Sequence, residues 1–270
     1  NCMPVHSKLE KFEDNWRTSM GGWSIEGKVV LRGKDVFKEL GNNSWMEYLL
    51  FASTGKESPK IARLMEGMWV ICTSFPDPRI WNNRVSALAG TARSTGVLAA
   101  AASVAVSEAT IYGLKPIKGA TDFLYRADKR LAEGETLEQI IKTELKQYRS
   151  VYGYGRPLVT GDERVEPMMD FARSIGCGEG KYIKLAFAVA EYLSNSRFKY
   201  QINIAAVCAG LLADEGLKPM EFYHMATLAF TAGAMPCFID TLNHQEGCFF
   251  PLRTSRLNFT GGETVKHWRV

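Results

Sequence analysis

The sequence predicts a mostly α-helical protein, and three observations carry that prediction. Apolar residues recur at helical spacing from Ser44 almost to the end of the chain. Capping residues, glycines and prolines divide that pattern into segments of ordinary helix length. Strand signals are almost absent after residue 35.

Taken in order, the segment from Trp16 to Arg32 carries Gly21, Gly22, Gly27 and the short β-branched run Val29-Val30-Leu31, which predicts a small extended or hairpin element. From Ser44, the residues Trp45, Tyr48, Leu49 and Phe51 predict a first helix. Ser58 as N-cap and Pro59 in the first turn open a second, running through Ile61, Leu64, Met65, Met68 and Trp69. Residues 84 to 111 are rich in Ala, Ser and Gly and predict one core helix buried around most of its circumference; Arg84, Arg93 and Glu108 exclude a membrane span there. Helices follow at about 119 to 132 and 136 to 150, the latter opened by a Thr136/Gln139 capping box. Four more fit 162 to 175, 180 to 195, 203 to 215 and 219 to 243, punctuated by Gly176, Gly216 and Pro219. No repeat of 20 to 50 residues is visible.

With 270 residues, the chain has room for one large domain or two unequal ones. Hydrophobic residues make up 46% and charged residues 23%, and no apolar run reaches the ~20 residues of a membrane span, so a soluble protein with no membrane partner is expected. A net charge of +4, spread over 33 basic and 29 acidic residues without a long basic block, argues against nucleic acid and suits a small anionic ligand. The six cysteines form no CxxC pair and no metal-ligand spacing, which predicts reduced thiols in a cytoplasm and no metal. The polar stretch Asn1 to Asp14 predicts no secretory leader.

Three segments at helix junctions are chemically suggestive. In SFPDPRIWNNR, residues 74 to 84, two prolines hold Asp77 in a rigid turn. In GLKPIKGATD, residues 113 to 122, Lys118 precedes a glycine at a helix start. In GYGRPLVTGDERV, residues 153 to 165, Arg156 follows two glycines that flank a tyrosine. Lys118 and Arg156 either bind an anion together with nearby backbone amides or are solvated surface cations. His224 reads as a partly buried structural residue, and His244 as the helical i+4 partner of Asp240.

In their order along the chain these segments resemble the citrate synthase superfamily, in particular its short citryl-CoA lyase-like members, from about Trp16 to Gly262. Arg32-Gly33 and Thr54-Gly55 occupy the places of the family's "RGY" and "TG.LP" turns. LKPIKGATD is similar to "GPLHGGAN", and GYGRPLVTGDERV to "GFGHRxxxxDPR". QINIAAVCAGLLADEGLKPMEF resembles "PNVDxxxxxxLxxxGxPxExF", and RLNFTGG resembles "RPxxxYxG".

That resemblance implies a large helical domain, residues 1 to 119 and 221 to 270, interrupted by a smaller helical domain at 120 to 220 that closes over a cleft. It implies carbon-carbon bond formation or cleavage on an acyl-CoA thioester with a carboxylate substrate. It also implies a homodimer built on packed helices such as 84 to 111, with Arg256, or nearby Arg253, reaching the partner's site. The loop Gly153, Tyr154, Gly155 is the part the family uses near CoA, while Arg164, Asn203 and Arg256 match its substrate-binding positions.

The catalytic set departs from the family. Its two histidines are replaced by Lys118 and Arg156, and its aspartate by Ala205, which has no group to accept a proton. Two permanent donors would make the cleft more cationic. Asp77 is the leading substitute base, Asp122 and Asp240 are weaker ones, and a tuned Lys118 could act as amine nucleophile or base. Two functions therefore stand side by side: an acyltransferase or lyase with a rearranged site, and a non-catalytic relative that binds CoA or a polycarboxylate.

Overall fold

The computed structural model describes residues 9–73, 75–156, 161–258, 260 and 261. Cys2, Gly262 and the 157–160 part of the GYGRPLVTGDERV segment lie outside the described residues. The protein is 58% helix and 5% strand, the mostly α class expected.

The N-terminal extended element is a three-stranded antiparallel meander of β1 (Gly21–Trp23), β2 (Val29–Leu31) and β3 (Lys34–Asp35), ordered β1-β2-β3 with Gly22 opposite Val30 and Leu31 opposite Lys34. Eleven helices follow among the described residues: α1 (Trp45–Thr54), α2 (Pro59–Thr73), α3 (Trp81–Thr91), α4 (Gly96–Val106), α5 (Leu114–Ala132), α6 (Leu137–Tyr148), α7 (Val165–Ser174), α8 (Lys181–Asn195), α9 (Ile204–Asp214), α10 (Pro219–Ala226) and α11 (Thr231–Leu242). Their starts follow the side chains that satisfy orphan amides. The Ser44 hydroxyl accepts from the Glu47 amide and Glu47 returns a bond to the Ser44 amide, Ser58 accepts from Ile61, and Thr136 with Gln139 forms the expected box.

The chain divides into two compact units. In the first, residues 1–73 with 109–229, α9 is the central element. It packs against α2, α5, α7 and α8, and every residue from Ala205 to Ala213 is buried. Leu50, Met65, Phe123, Ile141, Met168 and Leu212 fill the surrounding core at 0 or 1% exposure, each worth about 1.5–3 kcal/mol of burial.

In the second unit, residues 74–108 with 230–270, α3, α4 and α11 pack on one another. Here the single helix expected over 84 to 111 is two. Arg93 takes a left-handed φ of 58°, Thr95 caps α4 by accepting from the Leu98 amide, and Gly96 begins it. The break is held in place because the Arg93 guanidinium donates to the carbonyls of Gly90, Thr241 and His244, gathering the ends of α3 and α11. Nor is α4 buried around its circumference in this chain: only Ala99 and Ser103 are, and Val97 is 79% exposed.

The segment expected to be helical from 219 to 243 is divided by a turn at residues 227–230. Contrary to the expectation from composition, the stretch Pro219–Leu242 contains a window of membrane-span length and apolarity, with mean hydropathy 1.3. Phe222, Met225, Ala234, Cys237 and Phe238 account for part of that apolarity as buried core residues.

The capping box of α6 gives a direct test of local stability. Thr136→Ala removes the acceptor for the Gln139 amide and is expected to cost about 1 kcal/mol, read as a lower urea midpoint at unchanged slope.

Candidate functional site

The candidate site is built on the segment between α6 and α7 and its contact with the first turn of α9. Val151 is buried and Gly153 adopts φ +95°, which an L side chain rarely takes. A β-carbon at Gly153 would stand 2.5 Å from the Ala206 β-carbon and 3.0 Å from its amide nitrogen, so the loop lies directly on the start of α9. A two-sided ladder fixes it there. The Asn203 amide donates to the Gly153 carbonyl at 2.9 Å, and the Gly155 amide donates to the Gln201 carbonyl at 2.7 Å. Tyr154 lies opposite Ile202, and its buried hydroxyl donates to the Ala186 carbonyl on α8.

Gly153, Tyr154 and Gly155, expected near CoA, therefore use these backbone and phenol groups to hold the loop. Asn203, expected on substrate, is engaged at both ends of its carboxamide. Its Oδ1 accepts from the Ala205 amide as the N-cap of α9, and its Nδ2 donates to the Gly155 carbonyl at 2.8 Å.

Arg164 is the best-oriented cation of the loop. Its Nε and Nη2 each donate to Asp162 at 2.8 Å, and Nη1 donates to the Cys72 carbonyl at the end of α2 at 3.1 Å. Asp162, whose side chain is 1% exposed, also accepts from the Ile204 amide at 2.9 Å, so one carboxylate holds both the arginine and the N-terminus of α9. Burial alone would push the Asp162 carboxyl up, but the hydrogen bonds and charge of Arg164, with the Ile204 amide, hold it below its ordinary value. Asp162 was not singled out from the sequence. Its signal was present in the Asp-Glu-Arg run, two positions before the arginine it orients.

Tyr112 is the second residue the sequence did not reveal. Burial pushes its phenol up to about 12 against the opposing charge of Arg164, so it is a neutral phenol within the field of that guanidinium. Arg156 donates through Nη1 to the Gly161 carbonyl and to Glu163, both at 2.9 Å, and stands 4.0 Å from Asp162. Within this loop the two guanidinium groups are met by two carboxylates, Asp162 and Glu163.

Lys118 is not beside a helix start. Helix α5 begins at Leu114 with Pro116 in its first turn, and Lys118 is an exposed second-turn residue whose ammonium is 5.9 Å from the Tyr223 ring centroid. The adjacent Gly119 has no β-carbon, and the Tyr152 ring occupies the space one would take, which brings this turn of α5 against the loop. Ala205, the position the resemblance gave to the base, is 8% exposed in the first turn of α9.

In the second unit, Asp77 is tied to Arg79 through both oxygens, at 2.9 Å and 3.1 Å to Nε, and Arg79 also draws on it through its backbone amide. The Arg79 hydrogen bonds lower the Asp77 carboxyl, which weakens it as a base. Asp122 pairs with Arg126 at 2.7 Å, and Asp240 with His244 at 3.6 Å, the helical pair expected. His224 is exposed where partial burial was expected. Arg256 ends a single 3-10 turn, Thr254–Arg256, and is exposed together with Arg253. Among the described residues no three His, Cys, Asp or Glu side chains gather as a metal site.

Solved structures share this fold. Citryl-CoA lyase from Hydrogenobacter thermophilus matches with a TM-score of 0.77 at 18% identity, over 92% of this chain and 96% of that one. Citrate synthase from Thermotoga maritima MSB8 matches with a TM-score of 0.61 at 16% identity, over 84% of this chain and 60% of that one. This chain has the citrate synthase-like fold. ATP citrate lyase from Methanothrix soehngenii, solved in complex with citrate and coenzyme A, also carries this citrate synthase-like architecture, with a TM-score of 0.76 at 15% identity over the whole of this chain and 46% of that longer one. No protein-family model matches the sequence, and none of the curated proteins does.

Two variants test the site's construction. Gly153→Ala forces a β-carbon into Ala206 at a positive φ and is expected to cost about 2–3 kcal/mol in urea unfolding. Asp162→Asn leaves Arg164 half-paired and is expected to cost about 2 kcal/mol or more at pH 7. Because the folded carboxyl is depressed, its contribution is full well above the unfolded value of about 4 and is lost as pH falls through the folded value. The gap between wild type and Asp162→Asn should accordingly narrow in urea melts taken at pH 3.

Proposed function

We propose that this chain binds an acyl-CoA thioester together with a carboxylate ligand, in the class of citrate synthase-like carbon-carbon chemistry, and that its site favours binding over α-proton removal. The observation that carries this reading is the Arg164–Asp162 arrangement: a guanidinium held in fixed orientation by a buried carboxylate that also holds a first helical turn where Ala205 offers no base. A pre-oriented arginine is the group that recognises a carboxylate through paired hydrogen bonds. The fold supports the CoA half of the reading, since the structural neighbours include a citryl-CoA lyase and a lyase solved with citrate and coenzyme A.

Lys118 and Arg156 supply donors to an anionic ligand in this reading. Asp77 would serve as a base only by releasing Arg79. The hinged pair expected from the sequence, residues 1 to 119 with 221 to 270 and residues 120 to 220, is part of the proposal, as is a cytoplasmic setting. So is a homodimer. Leu88, Val97, Leu98 and Ile239, on the helices α3, α4 and α11, are 48 to 79% exposed in the single chain, the state of an uncovered helical interface. Arg256 would then act across it.

The decisive experiment has two readouts on one sample. Calorimetric titration with citrate and with acetyl-CoA is expected to show binding, and incubation of acetyl-CoA in deuterated water is expected to show no α-proton exchange. Arg164→Ala should weaken citrate binding at least about tenfold with the fold intact by circular dichroism. Exchange at the α-carbon would overturn the non-abstracting part of the reading. Absence of binding to both ligands would overturn all of it.

A further inference from the structure

Three sulfurs meet at the residue whose carbonyl Arg164 holds, and none has a part in the proposed ligand site. Cys72, near the end of α2, has its Sγ 3.7 Å from the Cys208 Sγ on α9 and 4.0 Å from the Met168 Sδ on α7. Cys72 is partly exposed, whereas Cys208 and Met168 are buried. Cys177, by contrast, turns its thiol to Glu215 at 3.6 Å. Disulfide sulfurs stand about 2.05 Å apart, so closure of the Cys72–Cys208 pair asks for an approach of roughly 1.6 Å, within reach of side-chain rotation on two helices that already pack together.

We propose that Cys72 and Cys208 form a redox-modification site that a hydroperoxide closes to a disulfide, joining the end of α2 to the second turn of α9. The half-exposed Cys72 is the sulfur a peroxide can reach. Its thiolate attacks the peroxide, the O–O bond breaks, and Cys72 becomes a sulfenic acid while an alcohol or water leaves. The Cys208 sulfur, losing its proton, then attacks the Cys72 sulfur, the S–O bond breaks and water departs. In sum, two thiols and one hydroperoxide give one disulfide, one alcohol and one water.

The Cys208 thiol is held well above its ordinary value, first by its hydrogen bond with Cys72 and then by burial, which fits Cys208 as the proton-keeping partner before oxidation. The disulfide would run parallel to a link already present, because Arg164 holds the Cys72 carbonyl and Asp162 holds the Ile204 amide of the same two helices. Closing the disulfide therefore constrains the very residue whose carbonyl anchors Arg164. This last step rests on the proposed ligand site; disulfide formation does not.

The test treats the reduced full-length protein with hydrogen peroxide and maps its peptides by mass spectrometry. A Cys72–Cys208 linked peptide, the loss of two hydrogens from the intact mass and reversal by dithiothreitol are expected, with no linked peptide in Cys72→Ser or Cys208→Ser. Oxidation of Cys72 to sulfinic acid without a linked peptide, or its pairing with another cysteine, would sink the proposal, as would two thiols that persist. Citrate affinity of the oxidised protein should differ about fivefold or more from that of the reduced one, and the difference should vanish in Cys72→Ser. An unchanged affinity with the disulfide formed overturns the coupling to Arg164. If citrate binds neither form, it is the ligand reading that fails, and the peptide map still decides the disulfide.

Discussion

The constraint on which the site depends is one buried carboxylate. Asp162 neutralises Arg164, fixes the plane of its guanidinium and satisfies the first amide of α9, while Arg164 in turn holds the last turn of α2 through the Cys72 carbonyl. A charge buried this deeply is tolerable only when its lone pairs are occupied, and here four donors converge on two oxygens. Removing any member leaves a helix end, a guanidinium or a carboxylate without its partner. The loop, the helix and the cation are for that reason one structural object.

Much of the fold was legible because capping and periodicity are local. The Ser44/Glu47 and Thr136/Gln139 boxes and the Ser58 cap can be read from side chains three positions apart, and the structure contains all three sets of bonds. The break at residues 92–95 was not legible in the same way. An Ala/Ser/Gly-rich stretch has no strong preference against continuing as helix, and the group that stabilises the break, Arg93, acts on carbonyls about 150 residues away in sequence, at Thr241 and His244. The start of α5 was misplaced for a related reason: Pro116 suggests a loop when read alone, but it is well suited to a helix's first turn.

The site was legible at the level of segments and not at the level of roles. The loop after residue 152 and the start of α9 do meet, and Arg164 is ordered where a ligand-binding arginine was expected. What sequence could not give was how each polar group is used. Asn203 and the two glycines spend their hydrogen bonds on one another, Asp77 spends its carboxylate on Arg79, and the positive charges of the loop are matched by neighbouring acids. Those are questions of pairing in three dimensions, and a lone sequence records the candidates without recording the pairs.

Consider finally the first turn of α9. The amide of Ala205 is capped by the side chain of Asn203, and the loop above rests on the backbone and β-carbon of Ala206, so the side chain at position 205 supports neither. The fold of this turn is thereby carried by Asn203 and Ala206, and position 205 is left without a hydrogen-bonding duty of its side chain. A small side chain can be exchanged there while the helix start stays folded, so one point of an otherwise fully committed turn is free to vary.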